Sequence, residues 1–248
     1  MQTVWDLKVR VSACAAALLL IAGHADAAGG AFIVDDAGVD DPFACKIESS
    51  ASFASNSAFI GVTTPACVLP LFRPTEIGVN ILRTRTQDGE WGTAILPKAK
   101  MNILPVEVGK FGLAIATGSA FDAVTGVYTG SFVNVPATYT YSDSFKVNLN
   151  AGWIYERPND QHSISYGAGF EWIPFKPITL IAEVFGVVTR EPEARTVVEP
   201  RFQAGVRFTP IETLDLDLIY GRNIAGENAN WITVGLNVRF PPPKKDEK

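Results

Sequence analysis

Residues 231–240 read W-I-T-V-G-L-N-V-R-F. Ile232, Val234, Leu236, Val238 and Phe240 fall on one face, and Trp231, Thr233, Gly235, Asn237 and Arg239 on the other. A period of two is what a β-strand imposes, because successive side chains point to opposite faces. The apolar face has no polar interruption, whereas the opposite face carries an amide, a guanidinium and a glycine. One such strand also suits a soluble sandwich, so the rest of the chain must decide.

Upstream segments repeat the pattern. Leu214, Leu216, Leu218 and Tyr220 oppose Asp215, Asp217, Ile219 and Gly221, and Phe202, Ala204, Val206 and Phe208 oppose Arg201, Gln203, Gly205 and Arg207. Ile164, Tyr166, Ala168, Phe170 and Trp172 oppose Ser163, Ser165, Gly167, Gly169 and Glu171. Phe145, Val147, Leu149, Ala151 and Trp153 oppose Lys146, Asn148, Asn150 and Gly152. From residue 44 the chain divides into twelve expected strands: 44–53, 58–65, 73–84, 91–102, 109–121, 127–141, 144–156, 162–174, 176–189, 197–209, 212–222 and 229–240. Short turns around 141–144, 173–177 and 208–211 alternate with longer polar links such as T-Q-D-G-E-W-G and E-R-P-N-D-Q-H. Short turns at one end, longer loops at the other, an even strand count and both termini together describe an outer-membrane barrel. The expected fold is therefore all-β, an antiparallel up-and-down transmembrane β-barrel over residues 44–240, with ten strands as the alternative to twelve. Pro136 and Pro97 interrupt their strands, and a bulge is expected at each.

In a membrane the apolar faces meet lipid and the polar faces line the lumen. The expected lumen residues are Lys98, Lys100, Lys146, Asn148, Asn150, Glu171, Glu183, Arg201, Gln203, Arg207, Asp215, Asp217, Asn237 and Arg239. A charge on the lipid side costs roughly 2–4 kcal/mol at the midplane, which keeps these groups inward. Arg201, Arg207, Asp215, Asp217 and Arg239 are expected to form an internal ion-pair ladder. Trp91, Tyr141, Phe145, Tyr155, Trp172, Phe208, Tyr220 and Phe240 lie beside the connections, as two interfacial aromatic girdles require. Glycines on the inward face (Gly152, Gly167, Gly169, Gly205, Gly235) either leave open space or permit curvature, with curvature favoured.

The chain opens with an export signature. Lys8 and Arg10 precede a short apolar run, and Ala25-Asp26-Ala27 is a small-x-small cleavage site, so residues 1–27 read as a signal peptide. Residues 28–43 read as a flexible, solvated leader rich in Gly and Asp, with barrel plugging as the alternative, and 241–248 as a charged tail. Beyond the signal peptide two cysteines remain, Cys45 and Cys67, and an even pair in an oxidising compartment predicts one disulfide. The intervening segment is expected to turn near Asn56-Ser57. Charged residues make up 19% of the chain and the net charge is −5, so nothing electrostatic favours nucleic acid.

No chemistry-bearing constellation stands out. A barrel hydrolase needs a serine beside a base, yet after residue 27 the only histidine is His162, expected in an outward loop, and its neighbours Ser163 and Ser165 point to the opposite face. One histidine and a disulfide pair leave few metal ligands, and no phosphate-binding glycine loop is present. The expectation is no enzyme and no cofactor.

The phrases F-E-W-I-P-F-K-P-I-T-L-I-A-E-V-F-G and P-R-F-Q-A-G-V-R-F-T-P, with the final strand ending in Phe240, resemble the outer-membrane transporters associated with phenol meta-pathway degradation. The resemblance spans roughly residues 70–240. It implies a small barrel that passes hydrophobic or aromatic compounds, and it transfers no catalytic residue. The family's barrels tend to end at the terminal aromatic, whereas P-P-P-K-K-D-E-K follows Phe240 here.

The functional expectation is a monomeric passive outer-membrane channel for small molecules. Its partners would be outer-membrane lipid, a small-molecule solute and, through the last strand, the barrel-assembly machinery. A closed structural or adhesive barrel and a soluble periplasmic β-protein are the competing readings.

Overall fold

The computed structural model describes residues 31–190 and 196–242. The signal-peptide reading of 1–27, the start of the leader and most of the charged tail lie outside the described residues. Twelve strands follow one another: β1 (Cys45–Ala54), β2 (Phe59–Pro70), β3 (Pro74–Arg85), β4 (Trp91–Leu104), β5 (Phe111–Asp122), β6 (Tyr128–Ser142), β7 (Phe145–Glu156), β8 (Gln161–Phe175), β9 (Ile178–Arg190), β10 (Thr196–Ile211), β11 (Leu214–Asn223) and β12 (Asn230–Phe240). Each pairs antiparallel with its chain neighbour, and β1 pairs with β12 from Cys45↔Phe240 to Ala54↔Trp231, so the sheet closes as a barrel. Closure leaves no unpaired strand edge. The cysteine hairpin is part of the wall, which settles the count at twelve rather than ten.

Cys45 and Cys67 are directly opposed across β1 and β2 and form a disulfide. The hairpin turns where Ser57 takes a positive φ of 69° and Asn56 Oδ1 accepts the Ala58 N–H at 3.2 Å.

Three links at the end that holds both termini are two residues long, 143–144, 176–177 and 212–213. The expected contrast between the ends is nevertheless small. The segment 105–110, at the terminal end, is as long as the described loops at the far end, 55–58, 86–90, 123–127, 157–160 and 224–229. The hairpins keep pairing into their polar rims, as at Glu156↔Gln161 and Arg190↔Thr196, and so consume what looked like loop.

Neither proline makes the expected bulge. The β4–β5 ladder skips Leu96 and Pro97 and resumes at Lys98↔Gly118 in the same register, and Pro136 pairs in register with Asn150. A proline removes one donor from the ladder. Ordinary pairs on both sides pin the register, so the loss is local. The breaks in register occur instead near the strand ends, between Phe208 and Ile211 for example.

Alternation holds around the wall. Leu149, Ile164, Leu218, Ile232, Val234 and Leu236 are exposed on the outer face, whereas Asn148, Glu183, Gln203, Asp215, Thr233 and Asn237 are buried inside. A small apolar cluster of Leu82, Leu96 and Ala120, with Val62 and Phe132 against it, fills one side of the interior. Much of the rest is occupied by the chain's own N-terminal segment.

Candidate functional site

Residues 31–37 run inside the barrel, and the chain becomes exposed at Asp41 and Phe43 before joining β1. The expectation of a solvated leader is overturned: Phe32 is 4% exposed, Val34 2% and Asp35 2%. The triplet Phe32-Ile33-Val34 explains why, because apolar side chains this large gain by leaving water. Phe32 packs with Ala31, Ile181 and Ile219, and Ile33 and Val34 pack with Phe185.

An extended segment without sheet partners must find other hydrogen bonds for its backbone, and inward side chains supply them. Glu183 accepts the Ile33 and Val34 N–H groups at 3.0 and 3.1 Å. Asn150 accepts the Asp35 N–H through Oδ1 at 2.8 Å and donates through Nδ2 to the Asp35 carbonyl at 2.7 Å. Thr138 Oγ1 accepts the Ala37 N–H at 2.8 Å, and Asn102 donates to the Ala37 carbonyl at 2.6 Å. Gln203 donates to Glu183 at 2.8 Å and to the Ala31 carbonyl at 3.4 Å.

Charge reinforces the docking. Lys100 Nζ lies 2.7 Å from Asp35 Oδ1 and 3.5 Å from Asp36 Oδ1, while Lys146 Nζ lies 3.0 Å from both Asp36 Oδ2 and Glu171 Oε1. The two aspartates are driven apart. Burial outweighs Lys100 at Asp35 and, with Asp36 adjacent, pushes its carboxyl up to about 7. At Asp36 burial is overcome by Lys146 and Lys100, which hold the carboxyl well below the usual range.

Two further ion-pair groups face inward. Arg207 meets Asp217 through two donors at 2.8 and 3.0 Å, Asp215 pairs with Arg239, and Asn237 donates to Asp217 at 3.2 Å. This matches the expected ladder with one correction: Arg201 stands apart and pairs with Glu199 at 3.1 Å, two residues away on the same strand face. On the other side Lys46 bridges Glu48 and Glu76 at 3.0 Å each. Of the remaining expected lumen residues, Asn148 donates to Glu171 at 2.9 Å and accepts from Thr138 at 2.8 Å, and Lys98 shares the inward face of β4 with Lys100.

Lys46, Glu48, Glu76 and Thr138 were missed, and the leader was expected in the lumen only as the alternative to a solvated segment. The first three carried the same alternating signal in their strands, and the leader's signal was its apolar triplet. Two of the inward glycines now have a specific role. A Cβ at Gly167 would lie 2.8 Å from Val34 Cγ2, and one at Gly235 would lie 2.9 Å from Ala31 Cβ. They admit the leader rather than leaving open space.

Above the leader, toward the end remote from the termini, lies a cavity of about 350 Å³. Ala31 and Ile33 form its floor, Ile60, Phe185, Val197 and Trp231 its apolar walls, and Glu199, Arg201, Gln203 and Asn223 its polar groups. Trp231 Nε1 donates to Gln203 at 3.4 Å.

The expected interface aromatics all sit on the outer face. Trp91, Tyr141, Trp172, Phe208, Tyr220 and Phe240 are well exposed, and Phe145 and Tyr155 are half-buried. His162 lies in β8 rather than in a loop, stacked on Trp153 and Tyr155 with ring centroids 5.6 and 5.0 Å away. Its partner rings hold it on the outer face, away from Ser163 and Ser165. Among the described residues no group of three metal-ligating side chains comes together.

With this geometry in place the chain can be compared with others. A family model described as "Uncharacterised conserved protein UCP029691" matches residues 16–240. The chain belongs to that family. No curated protein matches the sequence. Among solved structures, the NanC porin aligns with a TM-score of 0.59 at 6% identity, covering 77% of this chain and 98% of that one. The COG4313 outer membrane channel from Pseudomonas putida F1 aligns at 0.58 and 13% identity, covering 82% and 97%. The KdgM porin in complex with disordered oligogalacturonate aligns at 0.56 and 10% identity, covering 79% and 99%. At such identities the likeness establishes the fold, a porin-like twelve-stranded barrel.

Proposed function

We propose that the protein is an outer-membrane channel for small solutes, closed by its own N-terminal segment. The observation that carries this reading is the character of the plug. Residues 31–37 are held in the lumen by inward polar and charged side chains, so the barrel wall is complete without them. A wall with an apolar exterior and a polar lumen suits a bilayer, and the porin-like fold supports the same placement. In this reading residues 1–27 are cleaved on export, leaving the plug as the start of the mature chain. The barrel acts as a monomer, assembled through β12 by the barrel-assembly machinery.

Solute entering from the loop end meets the cavity above Ala31 and Ile33 first. Its walls, aromatic and aliphatic with one carboxylate, one arginine and two amides, suit small hydrophobic or aromatic molecules carrying a polar group. Such solutes agree with the resemblance to transporters of phenol meta-pathway degradation. Passage onward requires the plug to move. Among the described residues no serine or cysteine thiol stands beside a histidine on the route, and the reading is transport without catalysis.

A sealed structural barrel is the second reading, favoured by the paired charges that fill the lumen beside the plug. Planar-bilayer recording separates the two, using refolded chains with and without residues 28–44. Current in the intact chain, or only after truncation, supports the channel. Silence in both, with insertion verified, overturns it and favours the sealed barrel.

A further inference from the structure

On the outer face of β3, Val79 and Ile81 are followed by Arg83 and Arg85. These are lipid-side positions: Leu82 and Thr84, between them, are buried inside. The two arginines sit at the barrel end remote from Cys45 and Phe240. The Arg83 guanidinium lies 4.7 Å from the Trp91 ring centroid and that of Arg85 lies 5.6 Å from it, so the indole carries both cations. Trp91 rests on Phe59, centroid to centroid 5.7 Å, which fixes the platform.

The charge of this pair is not balanced from within. Arg83 donates to the neutral Thr93 Oγ1 at 2.7 Å, and Arg85 to the Ser57 carbonyl at 3.0 and 2.7 Å. Among the described residues neither guanidinium takes part in an ion pair, unlike the inward arginines Arg201, Arg207 and Arg239. Arg83 is flanked across the ladders by Gly61 and Thr93, both small, and its side chain stays exposed. A lipid-side cation is tolerated only near the membrane interface, and two cations side by side call for an anion there. At that depth the available anions are headgroup phosphates, which the guanidinium fork matches through paired N–H donors.

We propose that Arg83 and Arg85, backed by Trp91, bind the phosphate of a phosphorylated glycolipid in the outer leaflet, with its acyl chains lying along Ile81 and Ile95. The inference rests on the outer-membrane reading above. It assigns the β2–β4 face a lipid partner that neither the lumen nor the plug requires.

The test is native mass spectrometry of the full folded chain in detergent, titrated with purified lipopolysaccharide and with its dephosphorylated form. Wild-type protein should retain the phosphorylated glycolipid and lose most binding to the dephosphorylated one. R83Q/R85Q should lower occupancy about tenfold, as expected for losing charge-assisted contacts to one phosphate. R83K/R85K should keep most of it, and R157Q/R222Q, removing two other arginines near the same rim, should behave as wild type. Equal binding by folded R83Q/R85Q, or equal binding of the dephosphorylated lipid by wild type, overturns the proposal. The second comparison needs no variant to fold. Membrane fractionation of the wild type is run alongside. Absence from the outer membrane defeats the parent reading, whereas correct insertion with arginine-independent lipid binding defeats this inference alone.

Discussion

Asp36 Oδ2 accepts a hydrogen bond from Lys146 Nζ at 3.0 Å, tying the plug to a strand 110 positions further along the chain. The same lysine reaches Glu171, and the same aspartate reaches Lys100. The pair is therefore a latch between a removable segment and a fixed wall. In Asp36→Asn or Lys146→Gln the plug should loosen, and each variant should show more frequent current steps in bilayers than the intact chain. The double variant should fall well short of the product of the two effects, because both remove one interaction. Fully multiplicative effects would mean that the two residues act separately.

Asp35 makes the latch sensitive to pH. Its carboxyl is raised from the ordinary value to about 7 when docked, chiefly by burial, against the opposing pull of Lys100 and Lys98 and with Asp36 adding to the rise. A group whose docked pKa is raised binds its proton more tightly docked than free, so docking weakens as pH climbs from about 4 to about 7 and then levels off. Asp36 has the opposite sign, and its contribution is lost only below the ordinary carboxylate range. Opening should therefore be more frequent at pH 8 than at pH 5. Asp35→Asn should flatten that dependence, and a slope unchanged in this variant would place the titrating group elsewhere.

Gly167 is a steric test of the plug's position. A Cβ there would stand 2.8 Å from Val34, so Gly167→Val should displace the segment without touching a lumen charge. The expected result is raised conductance and faster proteolysis near residue 34, with heat-resistant folded mobility retained on gels. Unchanged conductance would show that the segment can shift without opening a path.

Arg207 tests the wall rather than the plug. Its partners Asp215 and Asp217 are almost completely buried, with side-chain exposures of 1% and 0%. Removing a partner from a buried pair leaves an uncompensated charge and typically costs about 3–5 kcal/mol. Arg207→Ala should thus unfold at clearly lower denaturant than wild type, and Asp217→Asn in the same background should recover part of the loss.

The disulfide offers a milder probe. It joins residues separated by 22 positions, and a loop of that order is worth about 3 kcal/mol through the unfolded chain. Cys45→Ser/Cys67→Ser should insert normally and unfold at lower denaturant, with the β1–β2 end nearest the termini becoming the first to exchange amide hydrogens.

Period-two patterning was enough for the wall. Once Leu214 through Tyr220 and Ile232 through Phe240 are seen to alternate with polar residues, a half-turn per residue leaves one arrangement for each side chain. The face of every strand and the pool of inward charges follow from that local rule, and the cysteine pairing from there being just two cysteines after the export signal. It also places Lys46, Glu48 and Glu76 inward, although they drew no notice among the stronger patterns nearby. Which inward charges meet was decided by register between strands. Arg207 lies opposite Asp217 in the β10–β11 ladder, whereas Arg201 lies opposite Asn223 and turns to Glu199 instead. The leader's contacts were illegible for a different reason. Phe32-Ile33-Val34 has no periodicity to read, and the placement of residues 33–37 depends on Glu183, Asn150 and Thr138 converging from three strands onto the backbone of Ile33, Val34, Asp35 and Ala37. Sequence alone determined the barrel because strand alternation is local. Only the tertiary structure placed the plug, because its hydrogen bonds to the wall join residues 64 to 172 positions apart.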